Sequence, residues 1–221
     1  MNKVKNFIVS GCMFIAFILY TVLIKTVDVR PIGPLNSEVG FASLNSFFAD
    51  LFPYSEGFYT LTKLVAVCSF LCIACFAALG LYQLITRKSL KKVDLQIYGM
   101  AGVYVITAFF YVLFEVLVIN YRPILEDGEL EASFPSSHTM LAVSVFGSAL
   151  VYCSFYINNR LLSSVLTGIL SVLMVAMACG RLISGVHWFT DILGGVILGA
   201  CVISLYISFL NCIRKGRKQS V

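Results

Sequence analysis

Three short clusters hold the side chains of this sequence that can do chemistry. Tyr121-Arg122-Pro123 is the first, and Phe134-Pro135-Ser136-Ser137-His138-Thr139 the second. The third is Gly180-Arg181, followed by His187 and Asp191. The chain's only two histidines fall in these clusters. Arg122 and Arg181 offer planar forks that bind phosphate oxygens bidentately. Ser136, Ser137 and His138 open a predicted helix, where free N–H groups and the positive dipole end suit an anion. His187 and Asp191 are four residues apart and are predicted to share a helix face. Asp191 then accepts one ring proton, fixes the tautomer and leaves the other nitrogen free to attack. His138 is placed to protonate the leaving oxygen as a general acid. The set describes a phosphate site with a histidine nucleophile.

The elements that position these residues are membrane helices. Of the 221 residues, 59% are hydrophobic and 12% charged, against about 25% charged in a soluble domain. Apolar segments predict six helices near residues 6–26, 58–86, 95–120, 138–157, 161–180 and 188–211. Their lengths match a bilayer core of about 30 Å, in which helices satisfy their own backbone groups. The run from Phe7 to Ile24, preceded by Lys3 and Lys5, is long for a secretory signal and lacks a small-x-small cleavage site. It is read as a retained first helix. The fold class is therefore all-α, a six-transmembrane-helix bundle forming a single membrane domain over residues 1–221. In the first loop Phe41, Leu44, Phe47, Phe48, Leu51 and Phe52 predict a short amphipathic helix in the interface. Gly195 and Gly199, beside Gly194, predict close helix packing.

Charge sets the orientation. Lys3, Lys5, Arg87, Lys88, Lys91, Lys92, Arg160, Arg214, Lys215, Arg217 and Lys218 fall on one side, with Asp94 as the one acid there. The positive-inside rule makes that side, with both termini, cytoplasmic. Loops 27–57, 121–137 and 181–187, and with them all three clusters, then face away from the cytoplasm. This distribution accounts for the net charge of +5 without nucleic acid. The eight cysteines, among them Cys68, Cys72 and Cys75 on one helix face, read as small packing residues and not as a metal site. Trp188 reads as an interface anchor.

The clusters together resemble the type-2 phosphatidic-acid phosphatase superfamily, whose pattern is K-x6-R-P, P-S-G-H and S-R-x5-H-x3-D. Arg122 and Pro123 match the first motif, Pro135, Ser136 and His138 the second, and Arg181, His187 and Asp191 the third. The motif-bearing part spans about residues 115–191. The resemblance implies a cofactor- and metal-independent reaction through a phosphohistidine. His187 attacks, Asp191 supports it, and His138 protonates the leaving group. Arg122, Arg181, Ser136 and Ser137 hold the phosphate.

Two departures are mild: Ser137 stands for the family glycine and Gly180 for its serine. The third reverses a charge. Glu115 stands where the family has lysine, about two turns below Arg122 on the same face. Three readings of Glu115 are open. It pairs with Arg122 or Arg181, which is favoured; or it is protonated in an apolar setting; or it marks a changed substrate or a lost activity. Lys63, near the outer end of the second helix, is the candidate source of the missing positive charge. Glu126, Asp127, Glu129 and Glu131 read as a solvated loop, with a cation site as the sharper alternative.

The leading expectation is hydrolysis of a membrane lipid phosphate or diphosphate: an isoprenoid diphosphate, phosphatidate or phosphatidylglycerol phosphate. The alternatives are a lipid phosphotransferase using the same histidine and a non-catalytic lipid-binding member.

Overall fold

The computed structural model describes the backbone of residues 3–219 and the side chains of residues 7–213. Lys3, Lys5, Arg214, Lys215, Arg217 and Lys218, on which the predicted orientation leans, have side chains outside the described residues. Seven α-helices are described: α1 (Lys3–Thr26), α2 (Ala42–Leu51), α3 (Glu56–Arg87), α4 (Leu95–Val116), α5 (Ser137–Tyr156), α6 (Arg160–Ile183) and α7 (Phe189–Gln219). All but α2 are long and apolar enough to cross a membrane, as expected for a multi-pass membrane protein. The short α2 falls on the amphipathic stretch of the first loop. It is anchored by Asn45, which is buried and hydrogen-bonded to Gly40 O and Thr190 Oγ1, and by Phe48, which stacks on Phe189 at 4.2 Å. The loop from α1 to α2 doubles back tightly: a Cβ on Gly40 would sit 1.6 Å from Ile24 O.

Helix α5 is the centre of the bundle, packed against α3, α4, α6 and α7, while α1 packs on α7. Small residues make this possible. Ala142, Ser144, Ser148 and Ala149 of α5 are buried. The Gly195/Gly199 pair brings α7 against the start of α5: an added Cβ would meet Ser136 O at 2.7 Å and Val143 Cγ1 at 2.7 Å, respectively. Apolar surface between helices gains little in lipid, so close backbone approach supplies dispersion contacts instead. At the far end, Arg87 and Asp94 form a 2.7 Å ion pair that ties α3 to α4.

Several expected boundaries shift, among them the end of α6, which runs to Ile183 instead of 180 and takes Arg181 into its last turn. Helix α7 continues to Gln219, well past residue 211. Helix α4 ends at Val116 instead of 120. Pro123 disfavours helical geometry at Arg122, and the chain there is already in a hairpin, with Tyr121 bridged to Ala132 and Glu126 to Glu129. Glu115 is therefore in the last turn of α4 and not on a helical face beneath Arg122.

Candidate active site

The connections 27–55, 117–136 and 184–188 meet at one end of the bundle, and the three sequence clusters meet with them. His187 lies in the short connection before α7, outside the helix, so it does not share a helix face with Asp191 as expected. Asp191 is in the first turn of α7 and reaches back to accept the N–H of Trp188 at 3.2 Å. This is the reach-back half of a helix-start capping arrangement. It turns the carboxylate toward the helix start, and the direct bond to the ring gives way to a bridge. Ser133 Oγ is 3.0 Å from His187 Nδ1 and donates to Asp191 Oδ2 at 2.5 Å. Asn120 Nδ2 donates to the other carboxylate oxygen at 3.2 Å. Trp188 is buried and not an interface anchor. A buried indole N–H needs a partner, and Nε1 donates to Tyr121 O at 2.8 Å.

Arg181, in the last turn of α6, has no solvent exposure. Its Nη2 is 2.9 Å from His187 Nε2, and its Nη1 donates to Thr62 Oγ1 at 3.3 Å. The guanidinium carbon is 5.1 Å from the centre of the Tyr59 ring. Its Nε has no hydrogen-bond partner among the described residues. Burial, then the charges of Arg181 and Arg122, holds the His187 ring well below the usual histidine range. The imidazole is thus neutral at neutral pH, the form in which a ring nitrogen keeps a lone pair.

Arg122 is held differently. Its guanidinium pairs with Glu126 and, at 3.3 Å, with Glu131. Tyr59 Oη donates to Glu126 Oε1 at 2.5 Å. Burial raises the Glu126 carboxyl, but the Tyr59 hydrogen bond and the Arg122 charge outweigh it and hold it below the usual range. Burial pushes Glu131 up, against the pull of Arg122 and with the charge of Glu126 adding to the rise. The acidic loop is therefore not merely solvated, because two of its four acids grip the arginine. The favoured pairing of Glu115 is overturned. Among the described residues Glu115 forms no ion pair with Arg122 or Arg181, because the early end of α4 leaves it exposed near Ser133 and Ser137. Lys63 Nζ sits 4.0 Å over the Tyr59 ring, and its charge reaches Glu126.

Ser136 precedes α5, and its N–H is taken by Asp191 O at 2.9 Å. Its hydroxyl pairs with Thr139 at 3.0 Å. Ser136 thus joins α5 to α7 and offers no free N–H for phosphate. The first-turn N–H groups of Ser137 and His138 have no intrahelical partners. His138 Nδ1 is buried without a hydrogen-bond partner among the described residues. Both residues line a cavity of about 480 Å³ between α3, α4 and α5, whose other walls include Phe70, Ile73, Tyr104 and Leu141.

Sequence reasoning missed Ser133, Asn120, Tyr59 and Thr62. A signal existed for each. Ser133 and Asn120 are polar residues flanking the clusters, and Tyr59, Thr62 and Lys63 form a polar stripe at the start of an apolar helix.

Comparison with known proteins places the segment that carries these residues in a family. Residues 117–214 match the PAP2 superfamily, so the expected resemblance holds over the segment with Arg122, His138, Arg181, His187 and Asp191. Over 104 residues the chain is 27% identical to phosphatidylglycerophosphatase B of Bacillus subtilis (strain 168). That match spans 45% of this chain and about half, 49%, of the curated relative. The fold resembles the crystal structure of a transmembrane PAP2-type phosphatidylglycerolphosphate phosphatase from Bacillus subtilis. The TM-score is 0.63 and the identity 18%, over 92% of this chain and 96% of that one.

Proposed function

From a PAP2-superfamily segment at residues 117–214, we propose that the chain hydrolyses a membrane lipid phosphate or diphosphate through a phosphohistidine on His187, at the membrane face away from the cytoplasm. The observation that carries this reading is the position of His187 Nε2, 2.9 Å from the buried Arg181 fork. A phosphate that takes the guanidinium's donors brings its phosphorus against that nitrogen. The Nε2 lone pair forms the N–P bond as the P–O bond to the lipid breaks, and the departing oxygen takes a proton from His138. Water then attacks the phosphohistidine, giving its proton back to His138. The N–P bond breaks and phosphate leaves. Arg122 supplies the second fork once its carboxylate partners let go. The cavity beside His138 is apolar-walled and suits the hydrocarbon part of a lipid whose headgroup reaches the ring.

The test is phosphate release by the purified protein in detergent with EDTA, against isoprenoid diphosphates, phosphatidate and phosphatidylglycerol phosphate, with His187→Ala alongside. Release by the wild type and none by the variant is the expected result. Release that survives His187→Ala, or that needs a divalent cation, would overturn the mechanism.

A further inference from the structure

The bond between Asp191 and His187 that the sequence suggested is replaced by two hydrogen bonds through one hydroxyl, and this has a chemical consequence. A hydroxyl has one proton to donate and two lone pairs with which to accept, whereas an ionised carboxylate only accepts. At 2.5 Å from Asp191 Oδ2, the Ser133 hydroxyl gives its proton to the carboxylate. What it offers His187 Nδ1, at 3.0 Å, is a lone pair, so Nδ1 carries the ring proton. Nε2 is then left with its own lone pair, on the side where Arg181 Nη2 approaches to 2.9 Å.

We propose that Ser133 is a positioning residue for phosphoryl transfer: its hydroxyl relays Asp191 to His187, holds the ring in the Nδ1–H tautomer and aims Nε2 at phosphorus. The proposal rests on the reading of His187 as nucleophile. The hydroxyl is held on every side. Its residue is 2% exposed, and its N–H donates to Asn120 O at 2.9 Å. The next residue, Phe134, stacks on Phe17 with centroids 6.0 Å apart and fills the space left by Gly194. Asp191 is equally fixed, with Asn120 on one oxygen and Trp188 N–H on the other. Among the described residues no direct hydrogen bond joins the ring to the carboxylate, and the Ser133 hydroxyl is bonded to both. When Nε2 bonds phosphorus the ring gains positive charge and Nδ1–H becomes a stronger donor. Ser133 Oγ, polarised by Asp191, is the acceptor that meets it, and the proton stays on Nδ1 throughout.

The chain has only two histidines, so ring-nitrogen NMR of [15N]histidine-labelled protein in detergent reads the tautomer directly, with His138→Ala assigning the signals. The wild type shows His187 protonated at Nδ1. Ser133→Ala shifts His187 toward a tautomer mixture and lowers kcat about 100-fold, with KM within about twofold, since the ring's state and not substrate binding is lost. Ser133→Thr keeps the hydroxyl and recovers most of kcat. Should Ser133→Ala fail to fold, Ser133→Cys, of similar size but with a weak thiol donor, takes its place in both measurements. An unchanged Nδ1–H signal in these variants, or a kcat within about threefold of wild type, overturns the relay. So does a Ser133→Thr protein with a wild-type ring spectrum and no recovered activity. If the wild type releases no phosphate, the functional reading fails, while the spectra still decide the tautomer role of Ser133.

Discussion

The two arginines of the site sit in contrasting surroundings. Arg181, at the end of α6, is fully buried and pairs with no carboxylate among the described residues. Its partners are a hydroxyl, a ring nitrogen and an aromatic face. Arg122, in the hairpin after α4, is neutralised by Glu126 and Glu131. Burying a guanidinium without a counter-charge costs several kcal/mol. On the proposed function, that lost stability is kept for a phosphate that binds the fork. The desolvation of Arg122 is offset in part by its two carboxylates, with which, on the same proposal, a phosphate competes. One cation is thus standing ready and the other is held in check.

The sharpest way to break this comparison is to remove the buried charge. Arg181→Met is expected to lower phosphate release by about 1,000-fold or more, at the upper end for losing a preorganised charge donor. Its thermal unfolding midpoint in detergent should be equal to or above the wild type, since an apolar side chain of similar length carries no desolvation cost. A large drop in the midpoint would make Arg181 a structural residue and end the contrast.

Arg122→Ala is the second test, with an expected loss of about 100-fold in kcat/KM and a lowered midpoint instead of a raised one. The variant leaves Glu126 and Glu131 side by side without their shared cation. A midpoint that rises as in Arg181→Met would mean that the two sites hold their charges alike.

The third test releases the check. Glu126→Gln keeps the shape of the hairpin and removes one carboxylate from Arg122. KM for the lipid phosphate should fall by up to about fivefold, the worth of a partly exposed ion pair. The wild-type to variant KM ratio should shrink toward one as the pH falls through the lowered Glu126 pKa and Glu126 itself protonates. Its pKa lies below the usual carboxylate value of about 4.3, because Tyr59 and Arg122 outweigh burial. A higher KM in the variant would show that Glu126 orients Arg122 for substrate instead of restraining it.

Most of the frame behind these tests was legible in the sequence. Six apolar segments, the short amphipathic stretch in the first loop and the Gly195/Gly199 contact carry strong periodic or compositional signals, and each is present. Arg122, His138, Arg181 and His187 lie close enough for their charges to act on one another, although the helix face predicted for His187 and Asp191 does not form. What sequence could not supply is the direction of a side chain at a helix boundary. Glu115 depended on whether α4 continued past Val116, and the bend to Pro123 settled that against the expected pairing. The Asp191 carboxylate depended on whether it faced the ring or its own helix start. Once it faced the helix start, a serine outside every quoted motif became the link. Ser136 likewise lost its expected N–H to a carbonyl from another helix, a contact between residues distant in sequence that no local pattern announces.

The smallest expected effect concerns Lys63. The family pattern places a lysine where this chain has Glu115, and α3 places another ammonium at the same end of the bundle, 4.0 Å above the Tyr59 ring. Tyr59 in turn holds Glu126, the partner of Arg122. Lys63 therefore stands one step out from the arginine that is held in check, and its charge both attracts an incoming anion and draws Glu126 away from Arg122. It is exposed, so screening limits what it contributes. Lys63→Ala is expected to raise KM about threefold at low salt, with kcat unchanged and the difference fading by about 0.5 M salt. Lys63→Arg, which keeps both the charge and the aromatic contact, should match the wild type. A loss in kcat approaching that of Arg122→Ala would promote Lys63 to a direct phosphate ligand. An effect that salt leaves untouched would point to the packing of Tyr59 as its cause.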